Sequence, residues 1–146
     1  MNKSQQGIKR SFWAGLGTAA MVLAGCASMY PGSAAKLTLS GANEVPPVNT
    51  SASGSGSFTV GADKSVSGSV TTSGVAGTAA HIHVGAAGKN GPVAVPLTKT
   101  SDATWSAPAG ARFTDEQYQA YKGGETYVNV HSAANKGGEI RAQLRP

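Results

Sequence analysis

Thiols and charges are both scarce in this chain. It holds a single cysteine, Cys26, so no internal disulfide can form and no thiolate cluster can hold a metal. Charged residues make up 13% of the sequence, about half the ~25% usual in globular proteins. No cluster of Lys and Arg interleaved with aromatics is present, which removes the footprint of a nucleic-acid binder. No nucleophile motif, no paired carboxylates at a useful spacing and no phosphate-binding loop occurs, so the chain is not expected to be an enzyme. No apolar run reaches the roughly 20 residues that a spanning helix needs, and neither a coiled coil nor an internal repeat is visible.

What is present begins with processing signals. Lys3, Lys9 and Arg10 precede residues 12–23, which are apolar apart from Thr18, the layout of a secretory signal. Leu23-Ala24-Gly25-Cys26 then resembles the lipobox of bacterial lipoproteins, in which the chain is cut before the cysteine and the thiol carries a diacylglycerol. The competing reading is an ordinary secreted protein with small residues at the cut and an idle thiol. Residues 1–25 are therefore read as a cleaved signal, 26–36 as a tether containing Pro31, Gly32 and Ser33, and 37–146 as one small domain. Ala27, rather than Asp, after the cysteine resembles the class sorted to the outer membrane. Several acyl chains, at about 0.8 kcal/mol per buried methylene, would anchor the protein to a bilayer that it does not span. The expected location is the outer membrane, facing the periplasm. The cut also removes three basic residues from the formal charge of +5, leaving about +2, an ordinary solubility charge.

Short alternating segments separated by turn residues make the domain nearly all β. Leu37-Thr38-Leu39 opens it, and residues 41–47 must leave the sheet because Pro46 and Pro47 cannot donate to a central ladder. Phe58-Thr59-Val60, the turn 61–64 and residues 65–72 have hairpin spacing, with Gly68 marking a bulge or a close backbone approach. Val93-Ala94-Val95 runs into Pro96, which places it near an edge or an end. Trp105 fills the core from a short strand. Thr114 to Gln117 has the pattern of a helical capping box, Tyr118 and Tyr121 share one helix face, and Gly123-Gly124 ends the helix. Residues 126–131 and 138–144 alternate again, with Val128, Val130, Ile140, Ala142 and Leu144 toward the core.

All three histidines of the chain follow one phase. In Ala80-His81-Ile82-His83-Val84 the apolar residues share one strand face and the imidazoles the other, at positions about 6.6 Å apart by strand rise. His131 is likewise flanked by core-facing neighbours. If its strand neighbours that of His81 and His83, three imidazoles converge on a set suited to copper or zinc. Exposed histidines on a solvated face fit the same pattern. A fourth ligand is not evident: Glu44, Glu139, Asn129 or water could supply oxygen, and Met29 lies in the tether. Glu44 reads first as pinning its own loop through backbone amides, and Arg141 and Glu139 as a solvated or cross-strand pair.

Leu39-Ser40-Gly41-Ala42-Asn43-Glu44-Val45-Pro46-Pro47, Ala80-His81-Ile82-His83, Tyr127-Val128-Asn129-Val130-His131-Ser132 and Gly137 to Leu144 together resemble the CHRD domain, named for chordin and also found alone in bacterial exported proteins. The resemblance implies an immunoglobulin-like or superoxide-dismutase-like Greek-key β-sandwich. It does not bring chordin's growth-factor antagonism, because a fold does not fix a function. It places His81, His83 and His131 at the family's His-x-His and Val-x-Val-His positions, similar to the copper side of copper–zinc superoxide dismutases. The fourth histidine, zinc loop and disulfide of those enzymes are absent here, so dismutase activity is not expected. Two functions remain open: a copper-binding envelope lipoprotein for metal buffering or tolerance, and a metal-free adhesion or scaffold module using the loops 41–56 and 85–91.

Overall fold

The computed structural model describes residues 34–146. The signal-like segment 1–25, Cys26 and Met29 lie outside the described residues. Nine strands form one antiparallel sheet: β1 (Ala35–Ser40), β2 (Ser53–Val60), β3 (Val66–Ser73), β4 (Gly77–Val84), β5 (Val93–Pro96), β6 (Thr98–Lys99), β7 (Thr104–Ser106), β8 (Thr126–Ser132) and β9 (Ile140–Leu144). They lie in the order β5-β4-β8-β9-β1-β2-β3-β7-β6. A single residue, Leu97, joins the two edge strands, and its N–H donates to the Ala80 carbonyl at 2.9 Å. The two ends of the sheet are thereby drawn together and it nearly closes into a barrel, in keeping with the all-β sandwich expected.

The alternation of the sequence sets this closure. Leu37, Leu39, Phe58, Val70, Ile82, Val128, Val130 and Leu144 all turn inward and are buried, each burial contributing roughly 1.5–3 kcal/mol. Trp105 joins them from β7. The β2–β3 hairpin runs in continuous register from Val60↔Val66 to Ser53↔Ser73, so Gly68 marks a close approach rather than a bulge. Its φ is +126°, and a Cβ there would strike the Ser57 carbonyl oxygen. β1 starts at Ala35, two residues ahead of the alternation that begins at Leu37, and β2 takes in much of the Gly/Ser-rich run before Phe58.

The one α-helix among the described residues, α1 (Asp115–Lys122), begins with the expected capping box. The Gln117 amide donates to Thr114 Oγ1 and the Thr114 amide to Gln117 Oε1, satisfying two otherwise unpaired donors. Tyr121 buries against Phe113, with ring centroids 6.1 Å apart. Gly123 caps the far end, followed by Gly124 at φ +73°.

Much of the outward face of β4, β8 and β9 is covered, which corrects the expectation for Arg141. Residues 41–50 and 85–92 fold over it, and Tyr127, Asn129 and Arg141 are each only 2% exposed. Beneath these loops lies a second buried layer made of polar side chains.

Candidate metal centre

β4 and β8 are direct neighbours, with Ala79 opposite His131, His81 opposite Asn129 and His83 opposite Tyr127. Side chains on one face of an antiparallel pair meet both directly and diagonally, so His81, His83 and His131 converge. Each offers one ring nitrogen, and these atoms lie within 4.8 Å of one another. The ring centroids are 5.4 Å apart for His81 and His83, 4.9 Å for His81 and His131, and 6.1 Å for His83 and His131. His83 is buried, while His81 and His131 are half-buried, so the group opens to solvent on one side.

Backbone carbonyls fix the state of two rings. His83 Nδ1 lies 2.9 Å from the Gly91 carbonyl oxygen and His131 Nδ1 2.9 Å from that of Lys136. A carbonyl only accepts, so both Nδ1 atoms carry hydrogen and both Nε2 atoms of the neutral rings present bare lone pairs. A carbonyl behind the ring is also the usual outer support of a metal-bound histidine. His81 Nδ1 stands 3.0 Å from His131 Nε2 and therefore donates to it in the neutral pair. A metal ion taking the His131 lone pair would displace that hydrogen bond; His81 could then ligate through its bare Nε2, or through Nδ1 once the proton has moved to Nε2.

The surroundings of His81 and His83 favour the neutral imidazole, the form in which the ring can ligate a metal. Burial, then the neighbouring His131 and His83, holds His81 below the usual imidazole range. Burial is also the main cause of the lowered value of His83, against the raising effect of the Gly91 carbonyl. His83 Nε2 is buried without a hydrogen-bond partner. An orphaned lone pair of this kind is costly unless something fills it, and three imidazoles form a donor set that fits copper or zinc.

A supporting stack holds His83 in place. Its ring lies 4.8 Å from that of Tyr127 at an interplanar angle of 4°. On the other strand neighbour, the Arg141 guanidinium sits 3.3 Å from the Tyr127 ring centroid. Arg141 donates to Asn90 Oδ1 at 3.1 Å and to the carbonyls of Ala86 and Lys89 at 3.3 and 2.8 Å. The Gly91 amide donates to the Tyr127 hydroxyl at 3.2 Å. One cation thus clamps the loop whose Gly91 carbonyl fixes His83.

Other sequence-derived candidates fall elsewhere. Neither Glu44 nor Glu139 joins the histidine group. Glu139 accepts from Thr50 Oγ1 at 2.9 Å and makes no ion pair with Arg141 among the described residues. Glu44 is 4% exposed, meets the Val45 amide, and faces Arg141 and Asn129. Burial pushes its carboxyl up to about 7 despite those three favourable neighbours. The clamp by Arg141 and Tyr127 escaped the sequence reading. Its signal was available, since Tyr127 and Arg141 share the phase of the histidines, but only loops covering that face make them structural.

Between the two covering loops lies a cleft of about 590 Å³, lined among others by Asn43, Glu44, Pro47, Gly88, Arg141 and Arg145. No curated protein and no solved structure matches the chain. The family model described as the CHRD domain matches residues 35–144, from the first residue of β1 to the last of β9. The chain belongs to the CHRD-domain family.

Proposed function

We propose that this is a non-enzymatic metal-binding protein of the bacterial cell envelope, holding copper in preference to zinc through His81, His83 and His131 and serving metal buffering or tolerance. The observation that carries the reading is the convergence of three imidazole nitrogens within 4.8 Å, two of them fixed as bare Nε2 lone pairs by backbone carbonyls. Copper outranks zinc at most nitrogen sites, which sets the order of metals. The lipobox-like sequence around Cys26 supports attachment to the outer membrane by lipid, with the domain in the periplasm. The test is a titration of the metal-free full-length protein with copper and, separately, zinc. About one ion per chain is expected, and none at comparable affinity after H81A, H83A and H131A are combined.

The cleft between residues 41–50 and 85–92 supports a second reading, an adhesion or scaffold module in which the loops recognise a partner. A partner retained equally by the wild type in chelator and by the triple histidine variant would favour it.

A further inference from the structure

Four side-chain polar atoms among the described residues are buried without a hydrogen-bond partner: Glu44 Oε1, His83 Nε2, Asn129 Oδ1 and Trp105 Nε1. The first three belong to one neighbourhood. Asn129 lies on β8 directly opposite His81 and two residues before His131, so its side chain shares the face of the three imidazoles. It is 2% exposed. Its amide is also oriented. The nitrogen donates to the Gly137 carbonyl at 3.4 Å and stands with the Glu44 carboxyl around Gly138. The carbonyl oxygen is left without a donor, and the Asn129 side chain borders His83.

This leaves two acceptors together. His83 Nε2 is a bare lone pair because its Nδ1 hydrogen is committed to Gly91, and Asn129 Oδ1 has lone pairs and no hydrogen to give. Buried acceptors without a donor are unfavourable, and a cation placed between them removes the conflict. Neither Glu44 nor Glu139 enters the histidine group.

We propose that Asn129 Oδ1 is the fourth protein donor to the ion held by His81, His83 and His131, its amide aimed by the Gly137 carbonyl and Glu44. This rests on the metal-binding reading of the histidines and extends it from a three-nitrogen to a three-nitrogen, one-oxygen site. An amide oxygen is a neutral donor, so the site adds no charge to the ion it takes. Asn129 also ties the ion to the buried polar layer rather than to the solvent-facing rim.

The test uses the full-length protein, stripped of metal and titrated with copper(II) chloride against a competing chelator, with electron paramagnetic resonance of the loaded samples. Asn129→Ala is expected to raise the copper dissociation constant at least tenfold and to change the parallel hyperfine splitting. Asn129→Asp, which keeps an oxygen at that place, is expected to bind within about threefold of wild type or more tightly, with a spectrum shifted by the added negative charge. If the Ala variant does not fold, Asn129→Ser, equally uncharged, decides in its place by the same two readouts. Superimposable spectra, together with an Asn129→Ala affinity within twofold, would overturn the assignment while leaving the histidine site standing. A wild type that takes up no more copper than the triple histidine variant would overturn both.

Discussion

Replacing Arg141 by Met removes the charge that ties the covering loop to the sheet while keeping a similar apolar stem. Arg141 gives three charge-assisted hydrogen bonds to Asn90, Ala86 and Lys89, each worth roughly 1.5–3 kcal/mol net. Its position on the Tyr127 ring adds on the order of 1–2 kcal/mol for a desolvated cation–π pair. Against these stands the desolvation of a buried guanidinium, several kcal/mol, which also draws its pKa below the usual value. The balance is a loss of about 3 kcal/mol, a large share of the 5–15 kcal/mol that holds a typical domain folded. The assay is urea unfolding of metal-free wild type and R141M, paired with hydrogen exchange. The amides of residues 85–92 should lose protection first, because three of their acceptors lose the donor that holds them. A loss below about 1 kcal/mol, with exchange in 85–92 unchanged, would refute the role of Arg141 as a clamp.

Three further outcomes follow from individual residues. Glu44 has a folded-state pKa of about 7 against an ordinary 4.5, so its contribution to stability is fully present below about 4.5 and is lost as pH rises through 7. The shift corresponds to at most about 3 kcal/mol; unfolding of metal-free E44Q and wild type at pH 5 and pH 8 should show wild type losing ground to the variant, and parallel pH profiles would contradict it. Gly138 sits at φ +135°, where a Cβ would press on Glu44 and Asn129, so G138A should cost about 2 kcal/mol or more by urea unfolding; a change within 0.5 kcal/mol would count against the tightness of that corner. Thr114→Ala removes the cap of α1 and should lower stability by about 1 kcal/mol without altering copper affinity, as urea unfolding and copper titration of the variant would show.

Much of this molecule could be read from alternation alone. Leu37 and Leu39, Ile82, Val128 and Val130, and Ile140 to Leu144 announce their strands because a two-residue period leaves one face apolar. That same period put His81, His83 and His131 on a common type of face. It could not say that β4 and β8 are adjacent, since pairing between strands some fifty residues apart depends on how the whole barrel closes. Nor could it show that the outward face is covered. A polar residue such as Arg141 looks solvated in any local window. It is buried here because the loops 41–50 and 85–92 fold over that face, and the second supplies carbonyls as its partners. Asn129 is legible only in part: its phase is set by the strand, while the orientation of its amide comes from Gly137 and Glu44.

The measurement that bears most directly on the central claim is copper binding by the full-length, metal-free protein, followed by competition titration and paramagnetic resonance. One copper(II) per chain is expected, with a spectrum showing coupling to imidazole nitrogens, lost when His81, His83 and His131 are all replaced by Ala in a protein that still unfolds cooperatively. Equal copper uptake by that triple variant, or none by wild type, would contradict it.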